Sequence, residues 1–144
     1  MNGTLPTDTG RAPLGGAGLF STAEDIAKFY QMVLNNGAAN GKPIIKPATL
    51  AEMLRKQTGD LRARPGMPWG LGFCLVEDPT QIEANNILAP GSFGHGGAFG
   101  TNSWADPMRG VIYVMMLELA GQKNPDNSAM RIEFQKAALA TLEK

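Results

Sequence analysis

Asp106-Pro-Met-Arg-Gly110 constrains this chain more than any other stretch. It has the chemistry of a tight turn, with proline at a central position and glycine at the exit. Seven apolar residues follow it, 111–117. They are apolar on both faces, which reads as a central, buried strand. The fifteen residues before the turn, 92–106, are too many for one strand of ordinary length. Gly96, Gly97 and Gly100 place a bend near Phe99-Gly100. Strands are therefore expected over 92–98, 100–106 and 111–119. A fourth is expected over 69–76, where large and small residues alternate. Trp69, Leu71, Phe73 and Leu75 would share one face, and Gly70 and Gly72 would leave the other open to close packing.

Helices flank these strands. Ser21 and Glu24 have capping-box spacing, and Ile26, Phe29, Tyr30, Val33 and Leu34 then recur at helical intervals. Asn35-Asn36-Gly37 stops this helix (21–36), with Gly37 suited to a left-handed C′ position. Asn40-Gly41 is a turn. Pro47 suits a first helical position, and Leu50, Met53, Leu54 and Gln57 would line the inner side of a helix over 47–57. Residues 58–68 break the pattern and 77–91 form a polar loop. The chain closes with a helix over 127–142. Asp126, Asn127 or Ser128 would cap it, and Met130, Phe134, Ala138 and Leu142 would form its inner stripe. Residues 1–18, rich in Gly, Pro and Thr, read as a flexible arm. The order predicts an α+β fold, an antiparallel sheet flanked by helices, in one domain of 144 residues.

Composition removes several function classes. Thirteen basic and thirteen acidic residues cancel, so there is no electrostatic footprint for nucleic acid. No apolar run is long enough for a membrane span, and the N-terminus lacks a signal-peptide pattern. One cysteine, Cys74, excludes an internal disulfide, and one Cys with one His argues against a structural zinc or other metal site. No phosphate loop occurs. Gly94-His95-Gly96 fails to complete a dinucleotide fingerprint because position 99 is Phe, so no cofactor is expected. No G-x-S-x-G elbow occurs either. His95 in its glycine cluster is either a structural residue at a bend or part of a site whose backbone N–H groups meet an oxyanion.

The stretch GHGGAFGTNSWADPMRGVIYVMMLEL resembles the last strands of the serine β-lactamase and penicillin-binding-protein-like hydrolases. It looks closest to the class C-like branch with its esterases and D-aminopeptidases. GGAGLFSTAEDIAKFYQMVLNNG and WGLGF are similar to the family's helix after the second motif and to a strand before the third. The resemblance implies that His95-Gly96-Gly97 is the third-motif triplet. His95 would contact substrate or tune the site, Gly96 and Gly97 would admit the acyl group, and Ala98 would give a backbone oxyanion donor.

The family's nucleophile, in Ser-x-x-Lys, has no match at Ser21, Ser92, Ser103 or Ser128. Its Tyr-x-Asn or Tyr-x-Ser motif has none at Tyr30 or Tyr113. The expectation is therefore the C-terminal portion of such a hydrolase, beginning after the second motif and inactive alone. Its partners would be a small acyl substrate and either the N-terminal portion or a second copy of the chain, because residues 111–117 would keep a bare edge. The resemblance leaves a periplasmic or secreted location open. Histidine at the lysine position favours ester or peptide substrates over lactams. The alternatives are a non-catalytic binding or assembly module that reuses the fold, and a structural domain in which His95 is inert.

Overall fold

The computed structural model describes residues 18–82, 87–119 and 128–142, with Gly10, Gly16 and Gly121. The fold is α+β. Helix α1 runs Ala23–Leu34. Its cap is Thr22 rather than Ser21: the Thr22 hydroxyl accepts the Asp25 N–H at 3.1 Å. Two left-handed residues end it, Asn36 (φ 52°) and then Gly37 (φ 88°), and the Gly37 N–H closes onto Met32 O at 2.9 Å. Asn36 thus takes the C′ position expected for Gly37. A side chain at Gly37 would run into Ile45 O. Asn40-Gly41, both left-handed, turn the short hairpin of β1 (Ala38–Ala39) and β2 (Lys42–Pro43).

Helix α2, Pro47–Met53, begins at its proline but stops short of Gln57. The Gln57 N–H leaves the helix for Trp69 O at 2.8 Å. The strand expected over 69–76 is also shorter. Only β3, Cys74–Leu75, enters the sheet. Residues 69–74 instead fold back on themselves, with a Trp69–Cys74 bridge, Gly72 left-handed and Gly70 N–H donating to Phe73 O at 2.8 Å. Leu71 is consequently half exposed, not inward. Gly70 does serve close packing, since a Cβ there would meet Met53 O at the end of α2.

The main sheet is antiparallel in the order β3-β4-β5-β6, with β4 Phe93–Gly96, β5 Asn102–Asp106 and β6 Val111–Met115. Each strand is shorter than expected because the turns take residues from its ends. Gly100 (φ 92°) and Gly110 (φ 65°) mark the two reversals. The second is braced by buried Asp106, which accepts the Arg109 N–H at 3.1 Å and its guanidinium at 2.5 Å. Strand β6 pairs only with β5 among the described residues. It is an edge strand here, which corrects the central placement its apolar pattern suggested.

One face of the sheet packs on α1 through Tyr30, Val33, Phe73, Phe93 and Ala105. The other packs Trp104, Tyr113, Met67 and Val76 beneath α3, Ala129–Ala140. Ser128 caps α3, its hydroxyl accepting the Arg131 N–H at 3.3 Å; Asp126 and Asn127 lie outside the described residues, as does most of 1–18. The inner stripe differs from expectation. Arg131, Ile132 and Gln135 are buried, with Ala138 partly so, whereas Met130, Phe134 and Leu142 are exposed. Gln135 Nε2 reaches Asn102 Oδ1 at 3.4 Å, so a polar anchor sets the rotation of the helix.

Candidate functional site

Strand β4 alternates anchors and openings. Phe93 locks its start, ring centroids 5.1 Å from Phe73 and 5.8 Å from Tyr30. Gly94 follows because nothing larger fits: a Cβ would collide with Ser103 O and Trp104. His95 is exposed, with its ring centroid 5.0 Å from that of Trp69 and the planes at 48°. Its Nδ1 lies against Gly96 O. The strand ends at Gly96.

The turn beyond is closed by its own bonds, Gly97 N–H to Thr101 O at 2.7 Å and Gly100 N–H to Gly97 O at 3.0 Å. Ala98 sits exposed on it, and no carbonyl among the described residues accepts its N–H. The glycines of the cluster therefore divide by purpose. Gly94 serves packing and Gly100 a left-handed turn, while the Cβ direction of Gly97 is filled by Thr101 Oγ1.

The four expected site residues line two openings. His95 and Gly96 border a cleft of about 290 Å³ with Arg64, Trp69 and Trp104. Gly97 and Ala98 border a larger, open cavity of about 510 Å³, with the segment entering α1 along its far side.

A residue pair that the sequence pattern missed lies across the strand from His95. Register sets Ser103 opposite His95. The hydroxyl of buried Tyr30 lies 2.9 Å from Ser103 O and 3.0 Å from Ser103 Oγ. Burial raises the Tyr30 pKa, against a smaller lowering by the Ser103 bond. The phenol therefore stays protonated at neutral pH and serves as a tether, not as a base for Ser103. The available signal was a tyrosine inside an apolar helix stripe, whose hydroxyl needs a partner once buried.

The other serines are similarly placed. Ser92 is buried, Ser128 caps α3 and Ser21 is exposed before α1. No hydrogen bond joins a serine to a lysine among the described residues. Nor do three His, Cys, Asp or Glu side chains gather there in a metal-binding group.

A family model, Beta-lactamase, matches residues 2–137. The chain belongs to the beta-lactamase family. Among relatives of this family, it is 30% identical over 103 residues to a Salmonella agona protein named "Putative D-alanyl-D-alanine carboxypeptidase", matching 71% of this chain and 22% of that one. Among solved beta-lactamase-like structures, it aligns with EstCE1, a hydrolase with promiscuous acyltransferase activity. The TM-score is 0.72 at 24% identity, over 90% of this chain and 32% of that one. A second is the "Putative 6-aminohexanoate-dimer hydrolase" of Bacillus anthracis, with a TM-score of 0.62 at 25% identity over 85% and 29%. The chain thus spans about a third or less of each of these three proteins.

Proposed function

We propose that this chain supplies the third-motif strand and one oxyanion donor of a beta-lactamase-type serine hydrolase acting on small esters, amides or lactams. In this reading the nucleophile comes from a Ser-x-x-Lys segment outside these 144 residues. The observation that carries it is the N–H of exposed Ala98, taken up by no described carbonyl and following directly on His95-Gly96-Gly97. A main-chain donor held by a turn that is already bonded costs no reorganisation when charge develops on a carbonyl oxygen. The serine would attack the carbonyl, the leaving group would depart, and water would release the acyl-enzyme. His95, exposed beside Trp69, would border the substrate and Gly96 would let it approach the strand, whereas the space a Gly97 side chain would take is filled by Thr101.

The partner in this reading completes the sheet at β6, whose outer edge pairs with nothing described. Either the nucleophile-bearing segment or a second copy of the chain would do so.

The test begins with the DNA upstream of Met1. An in-frame Ser-x-x-Lys is expected there. The extended protein should form an acyl adduct with p-nitrophenyl butyrate, seen by intact mass, at that serine. The 144-residue chain should remain at background. Within the extended protein, His95→Ala lowers turnover and Cys74→Ala, at a buried thiol, leaves it unchanged. An acyl adduct on Ser21, Ser92, Ser103 or Ser128 would overturn the assignment.

A further inference from the structure

We infer that Trp69 is a positioning residue for His95: its indole holds the imidazole in one rotamer, and the fold-back at 69–74 brings it there. The inference rests on reading His95 as the side chain that borders the substrate.

An exposed side chain on a strand ordinarily moves among its staggered rotamers. His95 is exposed, and glycines flank it on both sides, so neither neighbour in sequence has a side chain to restrain it. Two contacts do. Nδ1 lies against Gly96 O. The ring sits 5.0 Å from that of Trp69, centroid to centroid, with the planes at 48°. That spacing falls in the range of favourable aromatic pairs, and both rings line the same cleft.

Trp69 could not make this contact from a regular strand. Register pairs Cys74 with Gly94 and Leu75 with Phe93. Continued backwards, it would set Phe73 opposite His95 and carry Trp69 past the end of β4. Instead the chain reverses at left-handed Gly72, Trp69 bridges to Cys74, and the indole comes back beside His95. The reversal is held from the end of α2. Trp69 O accepts the Gln57 N–H and Met53 O accepts the Leu71 N–H, both at 2.8 Å. The Trp69 N–H donates to Thr58 Oγ1 at 3.3 Å, and the Gln57 side chain donates to Glu52 O at 2.8 Å. A ring anchored in this way restrains its neighbour without depending on it.

The chain has one histidine, so its imidazole signals are unambiguous. In the 144-residue chain labelled with ¹³C and ¹⁵N, the three-bond couplings from backbone N and C′ to His95 Cγ report χ1. They are expected to give one rotamer in the wild type, with cross-peaks between the His95 ring protons and the Trp69 indole. Trp69→Leu should average those couplings toward the values of the urea-unfolded chain, while the amide shifts of Phe93 and Gly94 stay in place. Trp69→Phe, which keeps a ring, should retain the single rotamer. Averaged couplings in the wild type, absent cross-peaks, unchanged couplings in Trp69→Leu, or averaging in Trp69→Phe would each overturn the inference. So would amide shifts throughout β4 in Trp69→Leu, since Trp69 would then support the strand and not the ring. Where Trp69→Leu fails to fold, the wild-type and Trp69→Phe spectra decide alone.

These measurements need no nucleophile, so failed acylation by an extended protein leaves their result standing. In an extended protein that does turn over, Trp69→Leu should lower kcat/KM. Added to His95→Ala it should cost nothing more, because an effect passed through His95 vanishes with that side chain. A further loss in the double variant would mean that Trp69 meets the substrate itself, and would overturn the positioning role.

Discussion

The two faces of the sheet are built by opposite rules. On the α1 face the residues with helical spacing are those that pack, and aromatic rings of Tyr30, Phe73 and Phe93 interlock within 6 Å. On the α3 face the helix turns polar side chains inward, Arg131 and Gln135, and leaves Met130 and Phe134 at 41% and 36% exposure. Trp104 Nε1, the Tyr113 hydroxyl and Asn102 Nδ2 are buried there with no hydrogen-bond partner among the described residues. Buried polar groups are normally paired, and apolar stripes are normally covered. One face is finished within this chain. In the reading proposed above, the other is completed by further polypeptide.

The largest expected effect comes from breaking the finished face. Phe93 is 2% exposed and touches both neighbouring rings. Phe93→Ala should destabilise the chain by about 3–5 kcal/mol, the cost of a large core truncation that leaves a cavity. Urea unfolding followed by circular dichroism measures it. A loss below about 1 kcal/mol would mean that the α1 face is not the stabilising core.

A smaller effect is expected at Tyr30, where that face meets the strand opposite His95. Tyr30→Phe keeps the ring and removes the bond to Ser103, for a loss of about 1 kcal/mol. It should also change the alkaline limb of stability. Burial holds the native Tyr30 phenol above its usual value near 10, outweighing the Ser103 bond. The contribution is whole below the unfolded value and is lost as pH rises through the native one, because the unfolded chain gives up its proton first. Tyr113 is shifted the same way, by burial and by the charge of Asp106. Tyr30→Phe should therefore flatten the fall in stability above about pH 10 in part, not wholly. An unchanged alkaline slope in unfolding titrations would count against the tether.

This contrast also explains what was legible in the sequence. On the finished face, periodicity and burial agree: Tyr30 and Val33 were readable from spacing alone, as were the turn at 106–110 and the proline start of α2. The family resemblance put His95, Gly96, Gly97 and Ala98 within a strand over 92–98; the strand ends at Gly96, and Gly97 and Ala98 lie on the turn beyond it. What stayed hidden depends on contacts distant in sequence. The alternation at 69–76 matched a strand, but left-handed Gly72 and the docking of Leu71 N–H onto Met53 O fold it back. The α3 stripe matched a packing helix, but Asn102, 33 residues from Gln135, decides which side turns inward. The double apolar character of 111–117 holds for the strand 111–115, where Tyr113 packs on one face and Ile112 on the other, but Met116 beyond it is exposed. Whether a strand is central or at an edge depends on its hydrogen-bonded neighbours, which side-chain pattern does not encode.

The smallest effect on folding is expected on the unfinished face, and there the effect moves to association. Phe134→Ala removes a side chain already partly in water, so unfolding free energy should change by less than about 0.5 kcal/mol. The same residue lies on the helix packed against β6, whose open backbone edge offers donors and acceptors to another chain. We expect the isolated 144-residue chain to be a dimer or larger by light scattering at high concentration, dissociating on dilution. Phe134→Ala should shift that transition to higher concentration, while a surface change far from α3, such as Lys42→Ala in the β1–β2 hairpin, leaves it in place. The two measurements separate a packing role from an assembly role, since a residue that served only the fold would lower stability and leave the association midpoint unmoved. A monomer at all concentrations, with slow amide exchange throughout β6, would show that this chain covers its own edge. The asymmetry between the faces would then be a property of the finished molecule and not the mark of a missing neighbour.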